Sequence, residues 1–208
     1  MRRATITLVL FDGVAKLLAA GSTLLLIHIL PVAEYAKLTL ASAAISLVAQ
    51  TTASSVNLIY IFASQNSSLH AERGSLLGLQ ALGALLLCTA FLLPFDLDAL
   101  VVFAAAALGT AFVTSDFVRT EYQRRLAFRH YAAIELLRSG LFLLLIISIL
   151  WLAPRHLTAA SALGLQAVAI ALISAPALIR LDLTRGISNL SRGLTLARGL
   201  LTAHYRDL

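Results

Sequence analysis

Two charged residues interrupt the first apolar stretch of the chain, Asp12 and Lys16. They stand four residues apart, which places both side chains on one face of a helix, where they can neutralise each other. An ion inside a bilayer is costly and persists mainly where it is paired or faces water. Two interpretations follow: this face lines a hydrated cavity that handles a charged substrate, or the residues form a self-contained pair near the cytoplasmic end of the helix.

Other polar residues also fall within or at the ends of apolar stretches, namely Asn57, Asp116, Glu135 and Arg138. They are further candidates for the wall of a substrate cavity. In the structural alternative, Asn57 forms a hydrogen bond between helices, and the three charged residues are interfacial groups or interhelical ion pairs.

One polar segment between two apolar stretches contains four arginines: Arg119, Arg124, Arg125 and Arg129. Such a group suits the binding of anionic lipid or pyrophosphate headgroups at the cytoplasmic surface. The alternative is a topological signal alone, because positively charged loops are general on the cytoplasmic side of membrane proteins.

The residues that enzymes use for covalent or metal chemistry form no recognisable motif. The five histidines lie at the ends of apolar stretches, in loops or in the tail, and none forms an HxxxH or HxxE pair. Cys88 is the single cysteine, which rules out a disulfide or a CxxC site within one chain. The sequence therefore predicts a protein that is not an enzyme and that uses no metal or cofactor.

Composition indicates where these residues are held. Of the 208 residues, 60% are hydrophobic and only 12% are charged, whereas soluble domains have about 45–50% apolar and about 25% charged residues. The mean hydropathy of the chain is +0.90, so most of the outer surface of the folded protein must lie in a bilayer. This excludes a water-soluble domain. The net charge of +6 does not indicate nucleic-acid binding, because the basic residues lie in short loops between apolar runs.

Six apolar runs are long enough to cross roughly 30 Å of hydrocarbon as helices. They cover about 8–30, 38–64, 75–95, 99–118, 131–153 and 158–179. None alternates between apolar and polar residues as the strands of a membrane barrel do. The predicted fold is an all-α polytopic bundle of six transmembrane helices over 1–180, followed by a basic amphipathic tail over 181–208 that lies on the inner membrane surface.

The basic residues also predict the orientation in the membrane. With the amino terminus in the cytoplasm, twelve arginines fall on the inner side, and only Lys37 and Arg155 fall on the outer side. An excess of cytoplasmic positive charge is typical of inner-membrane proteins. We therefore expect an integral protein of the plasma (inner) membrane with both termini in the cytoplasm.

Two stretches resemble the multidrug/oligosaccharidyl-lipid/polysaccharide exporter superfamily, in particular its polysaccharide or O-antigen flippases. The segment KLLAAGSTLLLIHILPVAEYAK and its continuation to Asn57 are similar to that family's first two spans, with a lysine in the opening span and a Glu-Tyr turn. The segment EYQRRLAFRHYAAIELLRSGLFLLL is similar to the family's loop between spans four and five. The resemblance implies the N-terminal six-helix half of such a transporter, in which two halves enclose a central cavity and Lys16 matches the charged first span.

On this basis we expect a flippase or half-flippase that moves lipid-linked oligosaccharide precursors across the membrane in envelope polysaccharide biosynthesis. The expected partners are membrane lipids, a polyprenyl-linked sugar as substrate, and a second copy or a second half-transporter, because alternating access usually needs two bundles that rock against each other. The alternative is a non-transporting membrane subunit that anchors or stabilises a polysaccharide assembly complex.

Overall fold

The fold is seen in a computed structural model that describes residues 2–54, 56–57, 60–61, 73–153, 156–184 and 190–206. The described part of the chain is helical and contains no strand, which confirms the all-α prediction. Six of the described helices are long and apolar enough to cross a membrane. The chain is therefore an integral membrane protein.

The spanning helices are α1 (Arg2–Ile29), α2 (Val32–Ala49), α3 (Arg73–Leu92), α4 (Ala99–Arg124), α5 (Phe128–Leu152) and α6 (Ala159–Arg180). A short π-helix, Gln50–Ser54, continues α2, and a 3-10 turn, Leu93–Phe95, ends α3. The amphipathic helix α7 (Leu190–Arg206) follows the bundle.

The predicted spans match these helices closely except at three ends. α1 begins at Arg2 rather than near 8. The other two differences lie in α2 and α4. α2 begins at Val32 rather than near 38, and α4 continues past 118 to Arg124. Both extensions carry charged residues that pair within the helix, Glu34 with Lys37 and Glu121 with Arg124, so hydropathy alone assigns them to loops. Residues 55, 58–59 and 62–64 of the predicted second span lie outside the described residues.

α4 lies at the centre of the bundle and contacts α2, α3, α5 and α6. Its Gly109 packs against Cys88 of α3, where a Cβ atom at position 109 would stand only 2.6 Å from the Cys88 Sγ. A glycine is required for this close approach, as is common between helices in lipid.

α1 lies at the edge of the bundle and packs mainly on α5. Although α1 and α2 follow each other in sequence, they diverge, and their described residues make at most marginal contact. α2 packs instead on α3, α4 and α6. A cleft therefore opens between α1 and α2.

The ends of α4 and α6 are terminated in the same way. Leu126 and Asp182 adopt left-handed backbone conformations with φ of 54° and 55°. The residue after each of them donates a backbone hydrogen bond to a carbonyl oxygen of the last helical turns. Ala127 N–H donates to the Tyr122 carbonyl at 2.9 Å, and Leu183 N–H donates to the Leu178 carbonyl at 3.0 Å. This pattern satisfies carbonyl groups that a helix end would leave unpaired.

Candidate functional site: a polar cavity beside the first helix

A cavity of about 310 Å³ lies where α1 and α2 diverge, and α5 and α6 complete its wall. Its polar lining is Thr23, Tyr35, Thr39, Ser42, Glu135, Arg138, Ser139 and Gln166. Its apolar lining is Ala19, Leu26, Leu38, Phe142 and Ile170. On α2 the lining runs from Tyr35 to Ser42, and on α5 it runs from Glu135 to Phe142.

Arg138 and Glu135 form the charged part of the cavity wall. Arg138 Nη2 donates to Glu135 Oε1 at 2.7 Å, and the two side chains are 15% and 18% exposed. The Arg138 guanidinium carbon lies 4.8 Å from the centre of the Phe112 ring, a distance typical of cation–π contacts. Arg138 Nη1 is buried without an acceptor among the described residues. The arginine therefore has hydrogen-bonding capacity beyond its pair with Glu135.

Arg119 of α4 extends this charged group behind the cavity. Its Nη1 lies 3.1 Å from Glu135 Oε2 and 3.5 Å from Asp116 Oδ1. The same guanidinium covers the Tyr131 ring at 4.5 Å, and Nη2 donates to the Tyr131 hydroxyl at 2.9 Å. The structure thus brings together three of the predicted cavity residues, Asp116, Glu135 and Arg138, but Asp116 does not line the cavity.

Asp12 and Lys16 lie at the edge of this site. Lys16 Nζ is 2.7 Å from Asp12 Oδ2, with side chains that are 76% and 48% exposed respectively. Helical spacing places both residues on the same face of α1 as Thr23 of the cavity wall. Neither Asp12 nor Lys16 lines the cavity itself.

Asn57 lies away from the cavity and contacts α3. Gln80 Nε2 donates to Asn57 Oδ1 at 3.0 Å, and both residues are 4% exposed. This contact is the interhelical hydrogen bond of the structural alternative.

The four arginines of the predicted headgroup site do not form one surface patch. The side chains of Arg119 and Arg124 are only 16% and 15% exposed, because both turn into ion pairs within the bundle. Arg125 is 42% exposed, and Arg129 is exposed. Only these last two remain accessible to a lipid headgroup.

Arg124 turns inward to pair with Glu121, and Arg125 also contacts this carboxylate although its side chain stays partly exposed. Glu121 is not among the residues predicted from the sequence. The Glu121 side chain is 0% exposed, and Arg124 approaches it as a fork, with Nε at 3.0 Å and Nη2 at 2.6 Å. Arg125 Nε lies at 3.1 Å, and Arg73 Nη1 and the Tyr60 hydroxyl each lie at 3.3 Å. The spacing of Glu121 to the arginines three and four residues later could have indicated this cluster.

A third charged group joins three elements at the opposite end of the bundle. Lys37 Nζ lies 3.0 Å from Glu34 Oε1 and 2.6 Å from Asp98 Oδ2. Glu34 Oε2 accepts a hydrogen bond from the backbone N–H of Ala159 at 2.8 Å, at the start of α6. The Lys37 ammonium holds the pKa of the Asp98 carboxyl below its usual value.

The described residues contain no group of three or more histidine, cysteine, aspartate or glutamate side chains that could hold a metal ion. No protein-family model matches the chain, and no curated protein or solved structure is significantly similar to it. The likeness of its lysine-containing first span and Glu-Tyr turn to flippases therefore stays a prediction.

Proposed function

We propose that the chain is a membrane transport protein, a flippase or half-flippase that carries a polyprenyl-linked sugar precursor across the plasma membrane in envelope polysaccharide biosynthesis. The observation that supports this proposal is the cavity between α1, α2, α5 and α6, which hydroxyl, amide and charged side chains line. The cavity borders the cleft between α1 and α2.

The lining of the cavity suits a substrate that is polar at one end and apolar at the other. Hydroxyl groups and the Gln166 amide offer both donors and acceptors to a sugar. The Arg138 guanidinium offers a partner for a phosphate oxygen. The cleft between α1 and α2 lets a polyprenyl tail remain in lipid while the headgroup passes.

The size of the cavity limits what it holds at one time. Its volume of about 310 Å³ is at the lower end of the range for ligand pockets, roughly 300–1,000 Å³. We infer that it accepts the part of the headgroup next to the phosphate rather than a long polysaccharide.

The proposal includes both termini in the cytoplasm, which places the Glu121 cluster on the inner side and the Lys37 group on the outer side. Alkaline phosphatase fused after Asp98 is then active, and the same enzyme fused after Arg129 is inactive. The reverse result would contradict this orientation.

Transport is tested in liposomes that contain the purified protein and a short-chain polyprenyl-phosphate-linked sugar with a fluorescent label. Reduction of the label from outside measures how fast the lipid changes leaflet. We expect Arg138→Ala to slow this exchange at least about 10-fold, since about 1.4 kcal/mol of lost binding gives that factor. Arg138→Lys retains part of the activity, because it keeps the charge but loses the planar fork.

Two further variants complete this test. Lys16→Ala also slows exchange if the Asp12–Lys16 face is part of the path, whereas Lys16→Arg keeps part of the rate. Arg180→Ala is the matched control, because Arg180 is an exposed basic residue at the end of α6, outside the cavity. If wild type and Arg138→Ala exchange the probe no faster than empty liposomes, the chain is instead a non-transporting membrane subunit.

A further inference from the structure

One side of α1 presents a straight stripe of exposed residues. It consists of Val9, Gly13, Lys16, Ala20, Thr23 and Ile27, all of which are exposed. Their spacing alternates between four and three residues, which is the spacing of the seam between two helices in a left-handed pair. A different side of α1 packs against the bundle, since Ala15, Ser22 and Leu26 are buried.

The centre of the stripe has room for another helix. A Cβ atom placed on Gly13 would meet no atom within 4 Å, and Ala20, seven residues later, is another small residue of the stripe. In lipid, small residues at such positions let two helix backbones approach closely.

Lys16 of the stripe pairs with Asp12 of the same copy, and this charged pair requires a polar neighbour. Lys16 is 76% exposed and Asp12 is 48% exposed, within a spanning segment that covers Leu8–Ile29. Hydrocarbon cannot solvate these charges, and such groups normally face a protein or water. Each copy presents one cation and one anion, so this surface is electrostatically complementary to itself across a two-fold axis.

We propose that the α1 stripe pairs with the same stripe of a second copy, around a two-fold axis along the membrane normal. Lys16 of each copy then lies within reach of Asp12 of the other. Thr23 belongs to both the stripe and the cavity wall, so the second copy lies beside the cavity. The pairing rests on exposure and charge, and it does not depend on the proposed transport activity.

Cysteine cross-linking in native membranes tests the contact directly. In a Cys88→Ala background, Gly13→Cys and Ala20→Cys should each form a disulfide-linked dimer upon mild oxidation. Val14→Cys is the matched control, because Val14 is 45% exposed but points to another side of α1. Leu172→Cys provides a lipid-facing control on α6, where Leu172 is 58% exposed. Absence of dimers at positions 13 and 20, or equal dimers at positions 14 and 172, would overturn the proposal.

A charge exchange tests the predicted ion pairs. Asp12→Lys and Lys16→Asp each give a copy with two like charges, so each alone should lose at least about 10-fold of the dimer cross-linked through Gly13→Cys. Co-expression of the two variants with different tags should restore a mixed dimer. Unchanged dimers in both single variants, or no mixed dimer when both variants reach wild-type levels in the membrane, would contradict the pairing.

The two proposals fail in different ways. If dimers cross-link through α1 but the lipid probe does not change leaflet, the proposed dimer contact is supported and the proposed transport activity is rejected. Exchange of the probe by a protein that never cross-links through α1 would leave transport and reject the contact.

Discussion

Glu121 and Glu135 are both carboxylates held by arginines near the junction of α4 and α5, yet their surroundings differ. Glu121 is completely buried and receives Arg73, Arg124, Arg125 and Tyr60. Glu135 is 18% exposed and borders the cavity. The first carboxylate is enclosed by protein on every side, whereas the second has one side facing open space.

The difference separates charges that hold helices together from charges that are available to a ligand. Around Glu121, three arginines converge on one carboxylate. Tyr60, which also reaches this carboxylate, belongs to a buried apolar cluster with Phe117, Leu76 and Leu183. Beside the cavity, Arg138 keeps a buried N–H group without an acceptor among the described residues. Complete pairing of a buried carboxylate is typical of a structural group, whereas the unpaired N–H group of Arg138 is what the proposed headgroup site requires.

The strongest test of this comparison is removal of the enclosed carboxylate. Glu121→Ala leaves the three arginines without their counter-charge, and loss of one partner from a buried ion pair costs about 3–5 kcal/mol. We expect this loss in the free energy of unfolding, measured by denaturant titration in detergent. Glu135→Ala should cost less, because Glu135 is 18% exposed and borders the cavity together with its partner Arg138. An equal or larger cost for Glu135→Ala would reverse the assignment of the two groups.

A smaller loss of stability should follow from displacing α7, whose Leu196 and Ala197 pack against the apolar cluster that contains Tyr60. α7 packs on α3 so closely that a Cβ atom at Gly193 would overlap the Ser75 carbonyl group, only 2.8 Å from its carbon. We expect Gly193→Ala to displace α7 at a cost of about 1–3 kcal/mol and to speed trypsin cleavage at Arg192 and Arg198.

Gly199→Ala is the matched control in the same helix, because a Cβ atom there meets nothing within 4 Å. Alanine is favoured over glycine inside a helix by roughly 0.5–1 kcal/mol, so this variant should be as stable as wild type or slightly more stable. Equal cleavage rates for both variants would show that α7 does not depend on the contact with Ser75.

The smallest effect is expected at the opposite end of the bundle, where the Asp98–Lys37 pair is exposed. The pKa of Asp98 is lower in the folded chain because of Lys37, so the pair stabilises the fold above the ordinary aspartate pKa of about 3.9. This contribution is lost as the pH falls through the lowered pKa.

The melting temperature of wild type should therefore approach that of Asp98→Asn as the pH falls from about 6 to about 3. Asp96→Asn, two residues earlier in the same turn, is the control for a general effect of charge removal. A constant difference between wild type and Asp98→Asn across this range would show that the pair does not contribute.

The sequence predicted the six spans because long apolar runs leave few alternatives in a bilayer, and it predicted Glu135 and Arg138 because charges inside such runs are conspicuous. It did not predict that Arg119 and Arg124 turn inward, since their partners lie on other helices or within an extension of α4. The cavity exists because α1 and α2 diverge, and they diverge because α1 packs against α5 whereas α2 packs against other helices, including α6. Such packing depends on side-chain shape across helices, which hydropathy does not record.

The hydrogen bond from the Ala159 backbone to Glu34 joins residues 125 positions apart in the chain. During biosynthesis, α2 enters the membrane long before α6 has been made, so Glu34 has only Lys37 as its partner for most of that time. The bond forms when the sixth span arrives. A chain that stops short of α6 lacks this bond, so the contact between the start of α2 and the start of α6 is a mark of the completed bundle.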